Sequence, residues 1–444
     1  MGSHRLIYFR TDGNSQIATG HLMRCLSIAQ ACQTLSLPVC FLVSDEDSAS
    51  LLKQFDPAGT FPVKILSSAV YNEMEQELPE LLSLLSEAPS LLFIDSYFVT
   101  EPYLQAFAGV CPVAYLDDLQ LFDYPVDLVI NYDVIPEDML PSYQAAYTKA
   151  DQTLLGASYT PLRRQFQMDV PAVRPSVKDI LITTGGSDPY HFCLNLLSCF
   201  QERLSSLLAE PDFHLHILIG SLSKDRELLQ ELAKELPFLM LHENVSDMAA
   251  LMASCDLAVS AAGTTLYELC AAGIPAISYT FADNQLPSSL AFASAGAVPC
   301  AGDLRMHASV SHASSDNADP ASRASSGNAD SASRASSGNA DSALRASSGN
   351  ADSPFHTGKP SASSDSTHKA SGSAGFSMDF NDTDNAPGLP DVFSTVCEFV
   401  TDMSDNIVKR KSAQQSMHRL VDGKGAFRIA KALEECSLHP FRSL

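Results

Sequence analysis

Between Arg5 and Tyr279 the chain runs through one pattern twice: short apolar runs rich in Val, Ile, Leu and Phe alternate with longer stretches of helical spacing. A short unbroken apolar run bounded by turn residues suits a strand buried on both faces. Strands separated by helices cannot pair as hairpins, so the crossovers make the sheets parallel and cover both faces with helices. The first set of strands is Arg5–Phe9, Val39–Val43, Leu91–Ile94, Val113–Leu116 and Leu128–Ile130, with helices at Gly20–Leu35, Tyr71–Ser86 and Pro102–Ala108. After a proline-spaced join, Val170–Asp179, the second set has strands Ile180–Thr183, His214–Ile219, Met240–His242, Leu257–Ser260 and Ala276–Tyr279. Its helices are His191–Leu208, Asp225–Glu235, Asp247–Ser254 and Thr265–Ala272. The expected fold is α/β, two doubly wound parallel-sheet domains facing a cleft, with ligands beyond the carboxyl ends of the strands. The first domain spans 1–170; the second takes 171–306 and resumes at 390–444. A length of 444 residues is ample for both.

The segment 307–389 has a different composition. Copies of an 11-residue unit begin at His312, Arg323, Arg334 and Arg345, and between His307 and Phe376 the only large apolar residues are Val310, Leu344, Phe355 and Phe376. An 11-residue period can wind a right-handed coiled coil, but that needs an apolar seam. Here the seam is alanine, interrupted by Ser-Gly-Asn, so the segment is expected to be a disordered insert in the second domain.

The formal net charge is −24, which counts against nucleic acid and anionic membrane surfaces as partners. It leaves a small anionic ligand open, since that needs only local positive ends. No apolar run is long enough for a membrane helix, and Leu6–Phe9 is too short for a signal-peptide core, so the chain is read as cytoplasmic. Eleven cysteines, odd in number and never spaced C-x-x-C, read as reduced buried thiols. A monomer is the default.

Four motifs follow strands and open helices. Arg10–Ala29 brings Asp12, Gly20, His21 and Arg24 to the end of the first strand. N–H groups at a helix start favour an anion, and they disfavour a cationic imidazole, which suits His21 as a base. A lone histidine is more often a capping or packing residue; the grouping tips the reading to function. In Ile180–Pro189 a strand ends in Gly185, Gly186, Ser187 and Asp188, where main chain can approach a phosphate, although such turns also serve as plain helix caps. In Leu257–Tyr279 the turn Ala262, Gly263, Thr264 and Thr265 suits a diphosphate, and Glu268 could take ribose hydroxyls or merely favour the helix dipole. Finally, Asn284 and Gln285 carry paired donors and acceptors that can read sugar groups or close an Asx-type turn. Asp45, Glu46 and Asp47, and the pair Asp117–Asp118, read as solvated loops, and His214 and His216 as structural.

Taken in order, Arg10-x-Asp12, Q-I-x-x-G-H-x-x-R, Asp95–Tyr97, Tyr115–Asp118, G-G-S-D-P, S-A-A-G-T-T-x-x-E, D-N-Q and L-V-D-G-x-G-x-x-R resemble one family. It is the UDP-2,4-diacetamido-2,4,6-trideoxy-β-L-altropyranose hydrolase family of pseudaminic acid biosynthesis. That family is related to spore-coat polysaccharide proteins and looks like a relative of the glycosyltransferase that makes lipid II. The resemblance covers Arg5–Leu304 and Pro390–Leu433. It implies a GT-B-like fold and hydrolysis of the UDP-sugar to UDP and free sugar by inverting water attack, with no metal or cofactor. It also implies His21 as base, with Tyr97, Glu268, Asn284 and Gln285 on the substrate. This chain departs from the pattern in having Ala18 where the family has glycine, Ser96 where it has histidine, and the insert. A glycosyltransferase with a UDP-sugar donor and a non-catalytic nucleotide-sugar-binding protein are the alternatives. Deleting His307–Phe376 is expected to leave folding and turnover unchanged, because lengthening a surface loop adds little closure entropy; thermal unfolding and nucleotide release measure this.

Overall fold

The computed structural model describes residues 5–14, 16–17, 19–87, 90–306 and 391–438. The 307–389 insert and the backbone at Ala18 lie outside the described residues. The first sheet has seven strands: β1 Leu6–Thr11, β2 Val39–Val43, β3 Val63–Ile65, β4 Ser90–Asp95, β5 Val113–Leu116, β6 Leu128–Asn131 and β7 Gln152–Leu155, in the order β3-β2-β1-β4-β5-β6-β7. The second has six: β8 Asp179–Thr183, β9 His214–Leu218, β10 Leu239–His242, β11 Leu257–Ala261, β12 Ala276–Thr280 and β13 Cys300–Asp303, in the order β10-β9-β8-β11-β12-β13. Every pairing is parallel. The two doubly wound sheets expected from the alternation are both present.

Central strands β4, β11 and β12 are buried at every position, which is why they read as continuous apolar runs. The edge strands β3, β7 and β13 escape that reading. They are three or four residues long, and residues such as Val63, Lys64, Gln152 and Thr153 face solvent. Strand β1 runs two residues beyond its expected end, to Thr11, carrying Arg10 into the core with no exposed surface. That burial is tolerated because Arg10 Nε donates to Glu77 Oε1 at 2.8 Å and Nη1 to Asp12 Oδ2 at 2.5 Å.

The order of each sheet reverses between neighbours β1 and β4, and again between β8 and β11. At such a switch the crossovers leave in opposite directions and open a crevice beyond the carboxyl ends. His21 follows β1, Asp95 closes β4, and the two glycine turns follow β8 and β11.

The chain's last three described helices distribute themselves between the sheets. Val392–Asp405 buries Val392, Val396 and Val400 against the second sheet, and Ile407–Leu420 adds Met417 to its other face. Helix Gly425–Leu438 instead joins the first sheet's core, through Ala426, Ile429, Ala430, Leu433 and Cys436. The expectation that 390–444 belongs wholly to the second domain is therefore corrected for this helix: its apolar stripe at i, i+3, i+4 and i+7 completes the face beside helix Gly20–Thr34. No described helix is long and apolar enough to cross a membrane.

The crossing back explains the two glycines of L-V-D-G-x-G. A Cβ on Gly423 would stand 2.2 Å from the Phe166 carbonyl oxygen, and one on Gly425 2.2 Å from that of Thr160. Gly423 also has φ +74°. Both neighbours are backbone and cannot swing aside. Gly425→Ala is expected to lower unfolding stability by about 1–3 kcal/mol or more, measured by urea denaturation.

Candidate active site

Helix Gly20–Thr34 places His21 in its first turn and Arg24 three residues on, the spacing that puts both on one face. Thr19 supplies no side-chain cap. Asp95 ends β4 opposite Thr11 of β1, so its carboxylate lies at the switch point under that helix. His21 Nδ1 lies 2.6 Å from Asp95 Oδ1. Arg24 holds the same carboxylate from both sides, Nε to Oδ2 at 2.6 Å and Nη2 to Oδ1 at 2.5 Å. Arg24 Nη2 also sits 3.0 Å from His21 Nδ1, but the nearer Asp95 carboxylate is ionised and can only accept, which favours the proton on Nδ1. His21 lines the cleft, and all its hydrogen bonds among the described residues fall on Nδ1; in a neutral ring with its proton there, Nε2 carries the lone pair.

Neighbouring strand ends complete the cluster. Arg24 Nη1 donates to Asp118 Oδ2, beyond β5, and to Tyr132 Oη, beyond β6, both at 2.8 Å. Tyr97 Oη donates to Asp118 Oδ2 at 3.2 Å while its ring stands edge-on to the imidazole, centroids 4.4 Å apart. Burial alone would raise the Asp95 carboxyl, but the Arg24 guanidinium and then His21 outweigh it and hold Asp95 well below the usual carboxylate range.

His21, Arg24, Tyr97, Asp118 and Tyr132 line a cleft of about 530 Å³, of the size that takes a small molecule. The same cleft is lined by Thr264, Tyr267 and Glu268 at the helix after β11 and by Thr160–Arg163. Arg163 Nη2 donates to Glu268 Oε1 at 2.9 Å. Burial raises the Glu268 carboxyl, and Arg163 opposes that rise.

Of the residues singled out in the sequence, Gly20, His21, Arg24, Tyr97, Thr264 and Glu268 meet in this cleft. Gly263 and Thr265 flank Thr264. Gly185, Gly186 and Ser187 form a turn outside the lining, and Asp188 acts as a helix cap, taking Phe192 N at 2.7 Å and Cys193 N at 3.0 Å. Asn284 is exposed, and Gln285 Oε1 closes its own turn on Phe281 N at 2.9 Å. The three turns nevertheless share a rim, since they follow the adjacent strands β8, β11 and β12. Asp12 lies away from the cleft: Oδ2 is held by Arg10, and Oδ1 accepts from Ser44 N at 2.6 Å and Ser44 Oγ at 2.9 Å.

The reading of Asp117–Asp118 as a solvated loop is overturned. Asp117 is fully buried, bonded to Tyr124 Oη at 3.0 Å and Tyr147 Oη at 2.7 Å, and Asp118 is in the cleft. Asp45 caps helix Glu46–Phe55 through Ser48 N. Sequence reasoning missed Asp95, Asp118, Tyr132 and Arg163 as site residues. The first three are polar residues at or just past a strand's carboxyl end, a usable signal; Arg163 sits in an aperiodic join that offers none.

No family model matches the chain. It is 26% identical over 286 residues to an uncharacterized protein of Methanocaldococcus jannaschii, covering 60% of this chain and 54% of that protein. It is 30% identical over 149 residues to a Helicobacter pylori protein named pseudaminic acid cytidylyltransferase and UDP-2,4-diacetamido-2,4,6-trideoxy-β-L-altropyranose hydrolase, covering 34% of this chain and 26% of that one. The chain thus spans about half the length of the first relative and about a quarter of the second. Among solved structures, MurG of Acinetobacter baumannii aligns with TM-score 0.44 at 17% identity, over 67% of this chain and 85% of that one.

Asp95→Asn is expected to destabilise the protein by about 3–5 kcal/mol at neutral pH, because buried Arg24 loses the carboxylate that holds two of its nitrogens and is left with Asp118 as its counter-charge. The carboxyl's folded value is depressed, so its contribution is complete above the unfolded value near pH 4 and fades as pH falls further. The gap between wild type and variant in urea unfolding should therefore narrow as pH falls from about 4 toward 2.

Proposed function

We propose that this cleft hydrolyses a UDP-linked sugar, with the Nε2 of His21 taking a proton from water as that water attacks the anomeric carbon. The observation that carries the reading is the Asp95–His21 pair: a buried carboxylate 2.6 Å from Nδ1 sets the tautomer and stabilises the imidazolium formed when Nε2 is protonated. Tyr97 packs on the ring edge and limits its rotation.

UDP departs as a weakly basic phosphate and needs no carboxylic acid to protonate it, unlike the leaving group of an ordinary glycosidase. What the site must supply is positive potential for the diphosphate. Arg24 is committed to Asp95, Asp118 and Tyr132. Arg163, one-third exposed in the cleft lining, has donors beyond its bond to Glu268 and takes the phosphate charge. The turns at Gly185–Ser187 and Gly263–Thr265 add backbone N–H groups on the same rim. Glu268 accepts from ribose hydroxyls, and the Asn284–Gln285 turn and Tyr97 read the sugar. The proposed substrate is UDP-2,4-diacetamido-2,4,6-trideoxy-β-L-altropyranose, cleaved with inversion. The name of the Helicobacter relative and the motif order support that choice.

Incubation with a panel of UDP-linked diacetamido sugars, without any acceptor, should release UDP as followed by mass. His21→Ala should bind UDP as tightly as wild type and turn over slower by about 10²–10⁴-fold. Turnover close to wild type in that variant would remove the imidazole from the mechanism, and no UDP release without an acceptor would point to transfer.

A further inference from the structure

Helix Val392–Asp405 is the first element after the long segment 307–390, and it docks on helix Phe192–Arg203. Phe192 stacks on Phe393 with centroids 5.4 Å apart, and Leu196 and Phe200 share a core with Val396 and Val400. Within that seam Cys199 Sγ and Cys397 Sγ lie 3.0 Å apart, from positions 198 residues apart in sequence. Both thiols are free. Their separation is roughly 1 Å more than a disulfide bond of about 2.05 Å, and apolar packing on both sides holds the two helices at that spacing.

We propose that Cys199 and Cys397 are a thiol oxidation site, closing to a reversible disulfide that staples the returning chain to the second sheet. Cys199 is half-buried and Cys397 buried, so the small-molecule encounter takes place at Cys199. Cys199 is the more exposed thiol, and its contact with Cys397 and then Arg203 lower it against burial and the Asp391 and Glu202 carboxylates, so Cys199 attacks first. With a glutathione disulfide oxidant, the Cys199 thiolate attacks one sulfur and expels a glutathione thiolate, which takes up a proton. Cys397 then loses its proton, attacks the Cys199 sulfur of the mixed disulfide and expels the second glutathione. Two protein thiols and one glutathione disulfide become one protein disulfide and two glutathione thiols.

Helix Phe192–Arg203 is the one capped by Asp188, at the end of the Gly185–Asp188 turn. The staple therefore anchors the base of that rim, and it does not depend on the reaction assigned to the cleft.

The test equilibrates the full chain in glutathione buffers of graded oxidation, then alkylates and maps peptides without reduction. A linked Cys199–Cys397 peptide pair should appear, disappear on adding dithiothreitol, and accompany a rise in Tm on the order of 5 °C. Cys397→Ser should lose both the link and the rise, as should Cys199→Ser, whose position is less buried and less demanding of the fold. Full alkylation of both thiols in the most oxidising buffer, or an equal Tm rise in the serine variants, would overturn the proposal.

Discussion

The Asp95 carboxylate is the group on which the candidate site depends. It is buried at the end of β4, and an isolated carboxylate there would be expelled or protonated. Two of Arg24's three nitrogens face it, and the imidazole of His21 fills the remaining direction on Oδ1. Arg24 is fixed in turn by Asp118 and Tyr132, and Asp118 also takes the Tyr97 hydroxyl. The result is one network that engages Nδ1 of His21 and leaves Nε2 without a hydrogen bond among the described residues. The start of the helix brings the ring to the strand ends, but the carboxylate 2.6 Å from Nδ1 decides which nitrogen carries the proton.

A second buried charge cluster holds the end of the neighbouring strand β1. Arg10, Glu77 and Tyr103 are fully enclosed, with Asp12 nearly so, and Tyr103 Oη donates to Glu77 Oε1 at 2.6 Å. Asp12 ties β1 to Ser44 past β2, and Ser48 bonds to the backbone of Gly13. Buried ion pairs contribute little net stability after desolvation, so positioning is their more substantial effect. Here they hold the end of β1 beside the start of helix Glu46–Phe55, which Asp45 caps through Ser48 N.

The architecture was legible in the alternation of apolar runs, because a strand buried on both faces has no polar positions to hide it. The edge strands were not, because Val63–Ile65 and Gln152–Leu155 mix exposed and partly buried residues over too few positions to show a period. His21, Arg24 and Glu268 stood out because each follows a strand and opens a helix. Asp12 followed the same rule and proved to be a structural partner of Arg10 and Ser44. Asp188 likewise became a cap. Strand-end position narrows the candidates, but it does not say which way a side chain turns.

By itself the sequence determined the class of fold, the two crossover sets and the motifs gathered at strand ends, since these follow from local periodicity and turn chemistry. Only the tertiary structure decided that Asp95 serves His21, that Arg163 meets Glu268, that Cys199 meets Cys397, and that the last helix returns to the first sheet. Each of these joins residues distant in the chain, 74 positions apart for His21 and Asp95 and 105 for Arg163 and Glu268. Such pairs are set by which strands neighbour one another in the sheets and by how helices pack over them, and no local pattern carries that information.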